Sequence, residues 1–295
     1  MLFQMKATLL LLVVLLALTA APSAFGATRT VEITRSGFVP DRLTIDFGDT
    51  VTWTNKDSTQ HQVVADGAAF PSSAALQPNQ TYTYRFPRSG NFSYRDGFAQ
   101  NERGRIIVRD GVSLAAAASV VRFGAAATLS GAVSNGQSGE SVTVHAIACG
   151  TTTATQVGAS RSGANGAWSL AVRPTLNTVY EVRWRNATSA RVEVKVAPRT
   201  ALVKLRTGRF SARVTAASSF AGKYVVLQRY ATTRRRWVTV KRVVLRTAGA
   251  PVAGAVTTRA GFTSRLRRGT RLRLVLPQSQ AGSCYTAAQS GLVRA

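Results

Sequence analysis

Short runs in which apolar and polar positions alternate recur from about residue 28 to the C-terminus. In "RLTIDFGDTVTWTN", Ile45 and Phe47 share one face of a predicted strand, and Val51 and Trp53 share one face of the next strand, beyond the turn at Gly48. The runs are rich in β-branched and aromatic residues and are separated by Gly, Pro, Asn and Ser. Because helical periodicity is hard to find, the pattern predicts an all-β protein.

The spacing of these runs divides the chain into three segments. Seven predicted strands lie within residues 28–110, which favours a sandwich or a barrel. Turn signals about every ten residues in 111–197 and 198–295 predict two further antiparallel β-sandwiches. The boundaries are placed at Asp110-Gly111 and at Pro198.

The second and third segments align with each other without gaps at an offset of 83 residues. "SGESVTVHAIACGTTTATQV" lies against "AGKYVVLQRYATTRRRWVTV", so that Gly139 meets Gly222 and Val144 meets Leu227. The repeat indicates tandem domains of one type. Both segments resemble bacterial immunoglobulin-like domains, which implies two tandem antiparallel β-sandwiches.

The N-terminus has the pattern of a secretory signal peptide. Lys6 precedes an apolar run from Ala7 to Leu18, and the small residues Ala24 and Gly26 suit a cleavage site. We therefore predict a signal peptide over residues 1–26. No second apolar run of about 18 residues follows, so we expect an exported protein without a transmembrane anchor, secreted or associated with the cell envelope.

Two cysteines, Cys149 and Cys284, are compatible with that compartment. An oxidising environment allows them to pair, and the pair would then bridge the second and third segments. Geometry must also permit the bond, so the sequence leaves both outcomes open.

Charge is distributed unevenly along the chain. Residues 28–110 carry ten basic and nine acidic residues, whereas 198–295 carry twenty basic residues and no acidic residue. The strand pattern places arginines on one face opposite leucines, and three more on a hairpin tip before Trp237. The candidate residues for binding an anionic partner are Arg234, Arg235, Arg236, Arg265, Arg267, Arg268, Arg271 and Arg273.

The first segment resembles the cupredoxin superfamily, specifically plastocyanin-like blue copper domains. The resemblance is carried by "GFVPDRLTIDFGDTVTWTNKD", "HQVVADG", "YTYRFPRSGNFSYR" and "GRIIV". It implies a Greek-key sandwich with a type 1 copper site, in which one histidine follows the "TWTN" strand and a closing loop supplies Cys, His and Met. His61 falls on the first histidine position.

The closing loop lacks the other copper ligands of the family. Counted back from Gly104, the family pattern Tyr-x-Cys-x-x-His-x-x-Met-x-Gly places Asp96, Ala99 and Glu102 at the Cys, His and Met positions. No shift of register restores the set, because both methionines lie at positions 1 and 5 and both cysteines lie in other segments. The sequence predicts a domain without a blue copper site.

Two interpretations of the remaining residues stay open. His61, Asp96 and Glu102 would converge in cupredoxin geometry, and one imidazole with two carboxylates suits Zn²⁺ or Cu²⁺ in a redox-silent site. Alternatively, Asp96 and Glu102 are solvated loop carboxylates neutralised by nearby arginines, and His61 is a surface imidazole. On the second interpretation the protein has no cofactor.

We find no catalytic motif, and we expect a non-enzymatic binding or adhesion protein. Its expected partner is an anionic polymer or surface: wall phosphate, acidic glycan, lipid head groups or extracellular DNA. Against this stands the interpretation that the basic segment only keeps an exported module soluble. The alternative function is copper binding or electron transfer, as the family resemblance implies.

Overall fold

A computed structural model describes residues 26–295, so the predicted signal peptide lies almost wholly outside the described residues. The described chain is nearly all-β, with 54% strand and 4% helix. The predicted fold class is confirmed. None of the helices in residues 26–295 has the length and apolar character needed to cross a membrane.

Eight strands form the first sandwich, one more than the sequence pattern indicated. They are β1 (Thr28–Thr34), β2 (Gly37–Val39), β3 (Arg42–Ile45), β4 (Thr50–Asn55), β5 (Val63–Ala65), β6 (Thr81–Arg85), β7 (Gly90–Asp96) and β8 (Arg103–Val108), with a 3-10 turn at Asp66–Ala68. One sheet has the order β2-β1-β4-β6 and the other β3-β8-β7-β5.

Alternation along the strands builds the core between these sheets. Val51 and Trp53 of β4 are fully buried, and Ile45 of β3 faces them from the opposite sheet. Phe70, Phe86 and Tyr94 pack around the Trp53 indole. This core is separate from the core of the rest of the chain.

The second sandwich follows after residue 110. Its strands are β9 (Ala115–Ala116), β10 (Val120–Arg122), β11 (Ala127–Ala132), β12 (Ser141–Ala148), β13 (Thr155–Arg161), β14 (Ala167–Val172), β15 (Thr178–Trp184), β16 (Ala187–Thr188) and β17 (Val192–Ala197), with a 3-10 turn at Ala164–Gly166. The sheets have the orders β14-β11-β9 and β10-β17-β15-β12-β13, with β16 paired to β15.

The third sandwich begins one residue later, beyond Pro198. Its strands are β18 (Arg199–Arg206), β19 (Arg209–Ala216), β20 (Tyr224–Ala231), β21 (Arg236–Val244), β22 (Thr247–Ala248), β23 (Val256–Thr263), β24 (Arg271–Leu276), β25 (Ala288–Gln289) and β26 (Val293–Arg294), with a one-turn helix α1 (Gln278–Ala281). The sheets have the orders β18-β19-β23-β22 and β21-β20-β24-β25, with β26 paired to β24.

The structure reproduces the sequence repeat at its central strand. β12 and β20 have the same length and begin one repeat apart, and each has a β-bulge at the equivalent step, between Val144 and His145 and between Leu227 and Gln228. The glycines that precede these strands, at positions 139 and 222, both have positive φ, at +83° and +81°. The predicted tandem pair therefore shares its local backbone geometry.

The second and third sandwiches are joined by a disulfide, by one amide side chain and by backbone hydrogen bonds, which Asn177 donates to Cys284 and Thr286 donates to Val196. Cys149 and Cys284 are bonded, with their Cα atoms 5.3 Å apart. Beside the bond, Asn177 donates through its side-chain nitrogen to the carbonyl of Ser283, and its side-chain oxygen accepts from the backbone of Val196. A continuous apolar cluster runs through both sandwiches, so these two modules pack as neighbours.

Candidate functional site

Three neighbouring strands bring the candidate residues of the first sandwich to one end of a sheet. His61 lies two residues before β5, Asp96 is the last residue of β7, and Glu102 immediately precedes β8. β7 lies between β5 and β8, and Val63 of β5 is directly opposite Asp96. One ligand atom of each candidate residue lies within 4.8 Å of the others. The fold therefore brings the three candidate residues together.

The histidine and the aspartate are in direct contact in the interior. His61 Nδ1 lies 2.5 Å from Asp96 Oδ2, and the two side chains are 6% and 0% exposed. The other carboxylate oxygen of Asp96 accepts hydrogen bonds from the backbone N–H groups of Gln62 and Phe98, at 3.3 and 2.8 Å. The interpretation of these two residues as solvated surface groups is therefore wrong.

The nearby arginines do not neutralise the loop carboxylates in the manner that interpretation required. Arg95 and Arg103 both point to Asp66, at 3.8 and 3.7 Å. The strand pairing explains this, because Arg95 and Arg103 are opposite each other on the outer side of the β7–β8 pair, whereas Asp96 points inward. Asp96 is compensated by the imidazole and backbone donors instead.

Asp57 is a further member of the cluster and was not among the residues predicted from the sequence. Its carboxylate accepts from Thr59 Oγ1 at 2.7 Å and lies 3.1 Å from His61 Nε2. The buried Asn55 braces this turn, because its side chain donates to the carbonyls of Thr59 and Leu76 and accepts from the backbone of Asp57. The sequence did offer one signal for this role, because Asp57 is a carboxylate in the turn that leads to His61.

The electrostatics of this cluster favour the charged form of the imidazole. Burial lowers the pKa of His61, but the hydrogen bonds to Asp96 and Asp57 and their charges outweigh it, so that the pKa is raised above 6.5. Hydrogen bonds from Thr59 and then from His61 lower the pKa of Asp57 to about 2. His61 is thus an imidazolium ion between two carboxylates over a wider pH range than a free histidine.

Glu102 adds a third carboxylate with an unused oxygen. Its Oε2 atom is buried and has no hydrogen-bond partner among the described residues. The closing loop, residues 96–103, holds it in place, because the backbone N–H of Asp96 donates to the carbonyl of Glu102 and the N–H of Glu102 donates to that of Ala99. A buried carboxylate oxygen without a partner is costly and is a feature of sites that accept a cation.

Gly104 fixes the exit of the closing loop. It is paired across the sheet with Tyr94, whose buried ring lies where a β-carbon at position 104 would stand, at 2.3 Å. Only glycine allows the ring to lie over the backbone there. The residue that anchors the count along the loop is therefore required by packing, independently of any metal.

The residues of this cluster do not fit a type 1 copper centre. Such a centre needs a thiolate, two imidazoles and a weak axial ligand, whereas the cluster offers one imidazole and hard carboxylate oxygens. A tetrahedral divalent ion with bonds of about 2.0 Å would hold its ligand atoms about 3.3 Å apart. The 2.5 Å contact between His61 and Asp96 is a proton-bridged distance, so a metal ion would have to open it.

The basic candidate residues lie on the third sandwich, far along the chain from this cluster. Arg234 and Arg235 lie in the turn between β20 and β21, as the pattern predicted, whereas Arg236 is already the first residue of β21 and not part of the hairpin tip. Leu272 and Leu274 are buried while Arg271 is exposed and Arg273 is partly exposed, which confirms the alternation on β24. Arg265, Arg267 and Arg268 lie in the exposed connection before β24.

Comparisons with known proteins support a cupredoxin-like domain at the N-terminal end. The family model of the cupredoxin-like domain matches residues 8–108. A purple cupredoxin from Nitrosopumilus maritimus is 24% identical over 27% of this chain and 98% of its own, with a TM-score of 0.26. A mutant of amicyanin in its reduced Cu(I) form at pH 4 is 30% identical over 28% of this chain and 83% of its own, again with a TM-score of 0.26. No curated protein matches the chain.

Proposed function

We propose that this protein is an exported, non-enzymatic binding protein that attaches to an anionic polymer or surface of the cell envelope. In this proposal the third sandwich makes the attachment, and the first is a cupredoxin-like scaffold that has lost its type 1 copper site. In this proposal the second and third sandwiches are immunoglobulin-like modules. Their sequence resemblance to such domains and the β-bulge that they share support this assignment.

The charge of the third sandwich is the observation that carries the proposal. Residues 198–295 contain twenty basic residues and no acidic residue. Every ion pair found in residues 26–295 lies at or before Lys195, so the described cations of the third sandwich have no carboxylate partner within the protein. A surface of this kind attracts polyanions and releases their counterions on binding.

The state of the two histidines supports the non-enzymatic part. His61 is engaged on both ring nitrogens by carboxylates, so neither nitrogen is free to take a proton from a substrate. His145 lies on β12 and contacts Thr143 Oγ1 at 3.2 Å. Each histidine lies near a threonine hydroxyl, Thr59 for His61 and Thr143 for His145, and among the described residues neither contacts a serine or cysteine nucleophile.

Retention on beads that carry long-chain polyphosphate tests the attachment. We expect the purified protein to bind at about 50 mM salt and to elute by about 500 mM, because counterion release makes the affinity strongly salt-dependent. Neutral dextran beads are the control. Retention that salt does not reverse, or equal retention on both beads, would contradict the proposal.

A second candidate function is the binding of a redox-silent divalent ion by His61, Asp96 and Glu102. The observation in its favour is the buried, partnerless Oε2 atom of Glu102. Titration with Zn²⁺ and with Cu²⁺ by calorimetry tests it, comparing the unmodified protein with His61→Ala and with Glu102→Gln, which keeps the His61–Asp96 contact. Binding of one equivalent of the ion by the unmodified protein, lost in both variants, would support an ion site. A binding heat that is the same in both variants as in the unmodified protein would exclude it.

A further inference from the structure

Three aromatic rings on the third sandwich each lie beneath an arginine. The guanidinium carbon of Arg273 is 4.3 Å from the centre of the Trp237 ring, and that of Arg271 is 4.7 Å from the centre of the Tyr230 ring. At the other end of the same strands, Arg242 lies 4.9 Å over Tyr224. We name these residues the arginine–aromatic face: Tyr224, Tyr230, Trp237, Arg242, Arg271 and Arg273.

The strand pairing places these groups on the outer side of the sheet β21-β20-β24-β25. Tyr230 is directly opposite Trp237, and the two rings meet edge to face at 5.4 Å. Arg273 and Arg271 alternate along β24 with leucines that point into the core. The four groups Arg271, Tyr230, Trp237 and Arg273 thus form one run of planar surfaces that is partly open to solvent.

Two glutamines hold Arg273 in place over the indole. Its Nε atom donates to Gln228 Oε1 and its Nη1 atom donates to Gln289 Oε1, both at 2.9 Å. These bonds orient the guanidinium group without neutralising it, because amides carry no charge. An arginine that is fixed but not neutralised is prepared for an external anion.

The combination of rings with cations narrows the chemistry of the partner. Wall phosphate, polyphosphate and lipid head groups are ring-free and would use only the charges. Pyranose rings of acidic glycans can pack their C–H groups against an aromatic ring, but they offer no π surface to stack on the guanidinium planes that cover these rings. Bases of a nucleic acid stack on aromatic rings and on guanidinium planes, while the phosphates contact the arginines. In a duplex those base faces are already covered, so an unpaired strand fits best.

We propose that the arginine–aromatic face binds single-stranded nucleic acid, with bases stacked on the guanidinium planes of Arg271 and Arg273, which the rings of Tyr230 and Trp237 support from below, and with phosphates attracted by the charge of the same arginines. The inference rests on the proposed function of the third sandwich and gives its partner a chemical class. Sequence discrimination is expected to be weak, because every base has a π face.

Two probes separate stacking from charge: the oligonucleotide dT20 and ring-free polyphosphate. The fluorescence of Trp237 should be quenched by dT20 and not by polyphosphate, since the other tryptophans, Trp53, Trp168 and Trp184, are at most 3% exposed. Trp237→Leu should weaken dT20 binding about five- to a hundredfold and leave the polyphosphate affinity unchanged, because it removes a ring and no charge. Trp237→Phe should retain most of the dT20 affinity.

A charge control and the contradicting outcomes complete the experiment. Arg265→Gln with Arg267→Gln removes two charges outside the face and should weaken both probes alike, with a smaller salt slope. If Trp237→Leu is folded by circular dichroism and changes the affinities for both probes equally, or changes neither, the stacking proposal is wrong. The proposed attachment to polyanions would still stand. If the unmodified protein binds neither probe, both proposals fail. If heparin binds more tightly than dT20 with the same dependence on Trp237, the partner is an acidic glycan and the nucleic-acid inference is overturned.

Discussion

The second and third sandwiches share a backbone plan and differ in charge at equivalent places. On β12, His145 is paired across the sheet with Glu181 of β15; one repeat later, Gln228 of β20 is paired with Arg273 of β24. Glu181 is bound by two arginines of its own sandwich, whereas Arg273 is bound by neutral glutamines. The same outward position therefore carries a satisfied anion in one module and an available cation in the other.

This contrast shows which positions hold the fold. The inward residues Val142 and Val144 of β12 are fully buried, as are their equivalents Val225 and Leu227 of β20. The bulge and the positive-φ glycine before each strand are also kept. Because the core and the turns specify the sandwich, the outer face is free to change its charge, and the third sandwich has lost every carboxylate side chain without losing the fold.

The largest expected effect comes from breaking the shared core. Leu227→Ala should lower the free energy of unfolding by about 2–5 kcal/mol, because it removes buried methyl groups and leaves a cavity. Val144→Ala at the equivalent position of the second sandwich should cost roughly 2 kcal/mol. Thr239→Ala on the exposed side is the control and should stay within about 0.5 kcal/mol. Urea unfolding followed by circular dichroism measures all three; equal costs at inward and outward positions would refute the comparison.

Removing the disulfide should give the next largest loss of stability. The bond holds the third sandwich, which has no ion pairs of its own among the described residues, to the second. Replacing both Cys149 and Cys284 by serine should cost about 2–4 kcal/mol, since a long chain segment is no longer closed in the unfolded state. Hydrogen exchange by mass spectrometry should be faster than in the unmodified protein in the second and third sandwiches. The exchange rates of the first sandwich, whose core is separate, should not change. Faster exchange throughout the chain would contradict this assignment.

The second and third sandwiches should also differ, by a smaller amount, in how their stability depends on pH. Hydrogen bonds from Arg183 lower the pKa of Glu181, and those from Trp184 and Asn135 lower the pKa of Glu140. Stability from such groups is present above their unfolded pKa of about 4.5 and is lost as the pH falls through the lower folded value. Between pH 6 and about pH 3, exchange should accelerate in the second sandwich before the third, which has no acidic or histidine side chain.

The first sandwich should show the opposite trend at higher pH. The pKa of His61 is raised, so its contribution is complete below the unfolded value of 6.5 and is lost as the pH rises through the folded value. Exchange at β5 and β7 should therefore be slower at pH 6 than at pH 9 after correction for the intrinsic rate. The control is a His61→Gln variant. If its ratio of corrected exchange rates at pH 9 and pH 6 equals that of the unmodified protein, His61 does not have this role.

The smallest expected effect on stability is that of neutralising the arginine–aromatic face. Arg271→Gln with Arg273→Gln should lower the free energy of unfolding by only about 1–2 kcal/mol, because it removes two solvent-accessible cation–π contacts that are worth about 0.5–1 kcal/mol each. The same double variant should weaken dT20 and polyphosphate binding together. A large loss of stability would show that these arginines act as structural groups.

Much of this architecture was predictable from local patterns. Alternation along "TVTWTN" placed Val51 and Trp53 on the buried face, and the gap-free repeat identified β12 and β20 as equivalent strands. The convergence of His61, Asp96 and Glu102 was also expected, from the cupredoxin resemblance. These features depend on the period of the strand and on sequence offsets, which the chain carries by itself.

The burial and the partners of those side chains were decided only by the tertiary structure. Asp57 reaches the imidazole through the turn braced by Asn55, and Asp96 is buried because β7 ends beneath the closing loop. The stacking of Arg273 on Trp237 joins two strands that are not neighbours in their sheet. The sequence determined three β modules, their repeat and their charges; whether each charge is buried, paired or free depends on which other strand packs against it, and that is a property of the folded chain alone.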